Sequence, residues 1–130
     1  MILAIRTDTP EARLVLQKSD GAIVADELWQ ADRRLAHELL GTLERLLADN
    51  SSAWKDLDGL VVYRGPGSFT GLRIGITVMN TIAYAQSIPI VGTTGDRWVE
   101  QGVRLITSGQ GEKIVLPEYG GDAHITKPRK

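Results

Sequence analysis

The densest chemistry in the chain lies in one run, Arg64-Gly65-Pro66-Gly67-Ser68-Phe69-Thr70-Gly71-Leu72-Arg73-Ile74-Gly75. Gly65 and Gly67 reach backbone angles closed to other residues, and Pro66 fixes the turn between them. Ser68 or Thr70 can cap a following helix by accepting a hydrogen bond from a first-turn N–H. Such a turn leaves free N–H groups at the positive end of a helix dipole, which is the chemistry of an anion site, with Arg73 nearby. Gly67, Ser68, Thr70 and Arg73 are therefore the candidate phosphate-binding residues. The spacing is not that of a Walker A loop, which needs Gly-Lys-Ser/Thr, nor is it G-x-G-x-x-G. A structural loop-to-helix junction and an anion site both stay open on these residues.

Other chemistries lack parts. With no Cys in the chain, disulfides, thiol catalysis and zinc–thiolate sites are excluded. The two histidines are His37 and His124. A zinc peptidase needs paired histidines at helical spacing with an acid, and His37-Glu38 has no second histidine after it. His37 reads as a solvent-edge or interface residue, and His124 lies in a glycine-rich tail. No spacing brings Ser68 together with a histidine and an acid. The expectation is no catalytic residue, no metal site and no cofactor.

These residues need a scaffold, and the hydrophobic periodicity outlines one. Residues 2–7, 12–18 and 22–29 read as strands, with Ser19-Asp20-Gly21 as turn chemistry in an antiparallel meander. Residues 34–49 change period: Leu35, Leu39, Leu43 and Leu46/Leu47 recur at three and four, an amphipathic helix. Residues 57–63 form a buried strand running into the glycine-rich turn. A helix over 71–87, a strand over 88–93 and a short helix over 96–102 follow. The order β-β-β-α-β-α-β-α implies an α/β fold, a mixed sheet with helices packed on it. Residues 113–116 offer one more strand at most. The expected division is a domain over 1–107 and a C-terminal extension or tail over 108–130.

The chain of 130 residues has 15 Lys+Arg against 16 Asp+Glu, a formal charge of −1. That balance supplies no global field for nucleic acid or an anionic membrane. The 42% hydrophobic fraction is that of a globular domain. The charge-free run 74–95 contains Asn80, Gln86 and Pro89, which lipid would penalise, so it reads as buried helix and strand. No signal-peptide pattern opens the chain, and a cytoplasmic protein without membrane or strong nucleic-acid binding is expected.

The stretch V-V-Y-R-G-P-G-S-F-T-G-L-R-I-G resembles the signature of the TsaB (YeaZ) family. Its setting fits: an opening I-L-A-I-x-T-x-T, a leucine-rich helix carrying H-x-x-L-L, and a closing I-P-I-V-G-T-T, in family order across residues 1 to about 96. The resemblance implies a single subdomain of the actin-like (ASKHA, ribonuclease H-like) fold. It implies a non-catalytic scaffold for TsaD which, with the ATPase TsaE, makes threonylcarbamoyladenosine at position 37 of tRNA. The alternative is a minimal nucleotide- or phosphate-binding domain using the loop 65–71.

Two departures from the family stand out. The family opening usually reads I-D-T-S-T, with an Asp that relatives use near phosphates or metal; here Arg6 follows Ile5, then Thr7-Asp8-Thr9. The chain is also shorter than the family, as expected of a form with only the N-terminal subdomain, with Glu118-Tyr119 and the basic end as a remnant of the family's tail. The resemblance implies that the two helices carry the homodimer and the TsaD contact. The partner-binding residues expected are Leu39, Leu43, Gly71, Leu72, Gly75, Val78, Met79 and Ile82. Gly71 and Gly75, four apart, permit a close neighbour, either within this subunit or across an interface.

Overall fold

The computed structural model describes residues 1–67 and 69–117. Five strands and three α-helices follow in the order the sequence predicts: β1 (Ile2–Arg6), β2 (Glu11–Gln17), β3 (Ile23–Gln30), α1 (Leu35–Asp49), β4 (Gly59–Tyr63), α2 (Phe69–Gln86), β5 (Ile90–Thr93) and α3 (Trp98–Thr107). Strand order is β3-β2-β1-β4-β5. The β1–β2 and β2–β3 pairs are antiparallel, while β1–β4 and β4–β5 are parallel. The last helix runs five residues past the expected 102, because Gly102 and Val103 are buried against the sheet rather than ending the turn. The strand expected over 113–116 is absent; a single antiparallel bridge, Ile90 with Glu112, stands in its place.

Strand alternation sends neighbouring side chains to opposite faces. Val61 meets Gly102 of α3, and Gly59 lies under Ile106, so these residues face α3. Their neighbours Leu60 and Val62 point the other way, into the layer of α1 and α2. All four are buried, which is why β4 reads as an unbroken apolar run. The buried stripe of α1 is Leu35, Leu39, Thr42, Leu43, Leu46 and Leu47, the periodicity of one helix face. From α2 the core takes Leu72, Ile76, Met79, Ile82 and Ala83.

After α3 the chain crosses to the edge of β5. Gly111 presses on Pro89, Glu112 exchanges two backbone bonds with Ile90, and Val115 seats over Gly92. Asn80 of α2 clasps this segment: its Nδ2 donates to Val115 O at 2.9 Å and its Oδ1 accepts from Val115 N at 2.8 Å. An amide side chain thus plays the part of a neighbouring strand, and the last strand edge is covered. Gly111, Glu112 and Val115 are thus held against the sheet edge, while residues 113, 114 and 116 are exposed. The expectations for Glu118, Tyr119, His124 and the basic end lie outside the described residues.

At the other edge, Arg13 of β2 and Asp26 of β3 form a two-bond cross-strand pair at 3.1 and 2.8 Å. The hydrogen bonds from Arg13, and then its charge, hold the Asp26 carboxyl below its ordinary value. A depressed carboxylate stabilises the fold above its unfolded value and loses that contribution as pH falls through the folded one. Both side chains are more than a third exposed, so solvent screens the effect. Thermal melts of the Asp26→Asn variant should therefore sit slightly below wild type at neutral pH and converge with it in strong acid. A constant gap across pH would show that the pair acts by shape rather than charge.

Candidate functional site

The glycine-rich turn leaves β4 at Tyr63 and enters α2 at Phe69, at the carboxyl ends of the parallel strands β1, β4 and β5. Open α/β sheets take ligands outside these ends. What fills the region is the exit of β1. Thr7 Oγ1 donates to Gly71 O at 2.8 Å. A Cβ on Gly71 would strike Thr7 O, and one on Gly75 would strike Thr7 Oγ1. Gly71 and Gly75 therefore serve a contact within this chain, chiefly helix on strand end, with Leu35 of α1 at ordinary contact distance from Gly71.

The turn is anchored twice more. A Cβ on Gly67 would lie 2.6 Å from Asp8 Cβ. Gly65, not Gly67, carries the positive φ, at 117°. The need for glycine at 67 is thus one of space, where sequence reasoning looked to backbone angle. Tyr63 is buried and edge-on to the buried Trp98, with ring centroids 6.2 Å apart, and its hydroxyl donates to Pro66 O at 3.2 Å. Over the Tyr63 ring lies Arg6, its guanidinium carbon 3.9 Å from the centroid. Arg6 forks onto Asp8 at 2.8 and 3.1 Å. Hydrogen bonding to Asp8, opposed by burial, raises the Arg6 pKa above its ordinary value.

Among the candidate phosphate-binding residues, Gly67 and Thr70 are exposed at the start of α2 and Arg73 is exposed one turn in. Ser68 lies outside the described residues. The Asp8 carboxylate sits against the turn, with Oδ2 3.4 Å from the position of a Gly67 Cβ, and its charge is paired with Arg6. Among the described residues no three His, Asp or Glu side chains gather as a metal-binding group. His37 is exposed on α1, and no described helix is long and apolar enough to cross a membrane.

The expected association surface needs correction. Leu39, Leu43, Leu72 and Met79 are wholly buried and Ile82 is 5% exposed, all within the chain's own core. Gly71 and Gly75 are spent on Thr7, and Val78 is half-exposed. The inner faces of both helices are consumed because three strands of apolar residues lie beneath them. Their outer side carries Leu40 at 50% exposure, Tyr84 at 87%, and half-buried Ile74 and Val78. Ala36 of α1 and Ile74 of α2 line one shallow hollow with Leu35 and Thr70, and Tyr84 lines a different one with Ile88, Pro89 and Glu112. Tyr84 was not singled out from sequence, although a large aromatic opposite the core positions of α2 was a readable signal.

The fold and site define a single α/β subdomain of the actin-like type. The family model for TsaD, tRNA N6-adenosine threonylcarbamoyltransferase, matches residues 29–109. The TsaB protein of Bacillus subtilis is 35% identical over 89 residues, 68% of this chain and 38% of that protein. The Escherichia coli TsaB is 35% identical over 102 residues, 78% and 43% of the two. The solved structure of YeaZ from Pseudomonas aeruginosa superposes with a TM-score of 0.65 at 30% identity, over 72% of this chain and 43% of that one. This chain belongs to the TsaB (YeaZ) family. It spans about two-fifths of the length of these relatives.

The packing of Thr7 generates a graded expectation. Gly75→Val forces a branched side chain into Thr7 and should cost about 1–3 kcal/mol, as overpacking does. Gly41→Ala, at an open helix position, should be neutral to stabilising by about 0.5–1 kcal/mol. Urea titrations of the two variants check the order; equal midpoints would refute the packing account.

Proposed function

We propose that this chain is a non-catalytic partner subunit of a TsaD-type threonylcarbamoyltransferase in tRNA threonylcarbamoyladenosine biosynthesis, acting in the cytoplasm with a TsaE-type ATPase. The names of its relatives support the pathway. The observation that carries a binding role is that Leu40 of α1 and Tyr84 of α2 stand exposed, at 50% and 87%, outside the core. Exposed large apolar groups of this kind can serve protein contact. Self-pairing and TsaD binding would share this surface, with a homodimer as the resting form, and a stable version of either buries about 1,200–2,000 Å² in total.

A non-catalytic role is supported by the strand-end region, where Arg6 and Asp8 engage each other rather than an open cleft. Purified chain should hydrolyse neither ATP nor peptides. A turnover that survives purification and vanishes in Asp8→Ala would overturn that part.

The test of partnership uses Leu40→Glu and Tyr84→Glu, two exposed positions where charge leaves the core intact. Each should abolish sedimentation as a dimer and capture of the TsaD homologue, with unchanged melting temperature. Threonylcarbamoyladenosine measured by mass spectrometry in cells carrying these variants should fall with capture. Wild-type chain that is monomeric at tens of micromolar and ignores TsaD would defeat the proposal.

A further inference from the structure

We propose that Arg6 is a built-in cation that, through Tyr63 and Asp8, holds Pro66 and Gly67 in place before α2, so that these residues keep their arrangement without a bound nucleotide or metal ion. The three residues leaving β1 each grip the glycine-rich turn. Arg6 lies over the Tyr63 ring, whose hydroxyl donates to Pro66 O; Thr7 bonds Gly71 O; Asp8 packs against Gly67. Arg6 and Asp8 form the most enclosed of the side-chain ion pairs among the described residues, with side chains 32% and 9% exposed.

A guanidinium suits this place for two reasons. Its planar face stacks on an aromatic ring, and its fork matches both oxygens of a carboxylate. The ring beneath it is fixed in turn by the edge contact with Trp98, which Thr93 holds by donating Oγ1–H to Trp98 O at 2.9 Å. The cation therefore rests on the core and reaches outward to the turn. A hard cation carrying a nucleotide needs free acidic oxygens, and the residues here do not fit that group. Both oxygens of Asp8 already accept from one guanidinium, and a second positive charge would face Arg6 within hydrogen-bonding range. Arg6 is thus a positioning residue for the turn, acting through Tyr63 and Asp8.

Hydrogen exchange of the backbone amides tests this in the intact chain. In wild type, exchange across 65–75 should be unchanged by magnesium and ATP. In Arg6→Ala, the first bonded amides of α2, residues 73–75, should exchange about tenfold faster, the effect of losing one charge-assisted contact set, while Leu60–Val62 in β4 stay protected. Millimolar guanidinium ion should restore their protection in Arg6→Ala, and equal sodium should not. Arg6→Lys should restore Asp8 pairing without the planar group over the ring and give an intermediate rate. If Arg6→Ala loses β4 protection too, Asp8→Asn replaces it as the reading, and its amides at 73–75 should quicken alone. Unchanged exchange of these amides in Arg6→Ala or Asp8→Asn, no response to guanidinium, or protection of the wild-type turn by magnesium and ATP would each overturn the proposal. None of these readings depends on whether TsaD binds.

Discussion

Helix α2 rests on the end of β1 with no space for a side chain between them, and the rest of the molecule is arranged around that contact. Gly71 and Gly75 present bare backbone to Thr7, whose carbonyl and hydroxyl occupy the room two Cβ atoms would need. The hydroxyl then uses the proximity to bond Gly71 O. A helix seated this low brings Leu72, Ile76 and Met79 fully onto the sheet and draws α1 in beside it. Close packing of that kind tolerates little change in volume, so the position of the turn is inherited from the position of the helix.

The same contact decides what the helices have left to offer. Apolar residues with the strongest periodicity are spent inside the subunit, and the surface available to a partner is made of the off-period ones. Leu40 and Tyr84 interrupt the polar side of their helices and contribute nothing to the core. Association through them would need no rearrangement of the fold.

Charge at the strand ends is arranged for internal closure. A helix N-terminus favours an anion, and the chain provides its own in Asp8, lodged against Gly67 and balanced by Arg6. The clasp of Asn80 on Val115 follows the same pattern, with a side chain completing the pairing of an edge that a further strand would otherwise take. In both places a polar side chain stands where another component would bind.

Much of this was legible in the residues. The run of Gly65 to Gly75, the leucine period of α1 and the apolar β4 determined the order of elements, the α/β class and the family, because each is a local pattern with a local cause. The spacing of Gly71 and Gly75 announced a close approach but not its partner, since a missing side chain says only that something is near. Whether Leu39, Leu43, Leu72 and Met79 met a neighbouring molecule or their own sheet depended on how many strands lay beneath them. Arg6 read as a departure from its family; that it lies over Tyr63 follows from β4 lying beside β1, a pairing between residues more than fifty apart. Sequence determined the elements and their faces through short-range propensity and periodicity. Tertiary structure alone decided which faces were used up and which remained, because burial is a property of the whole packed sheet and not of any one segment.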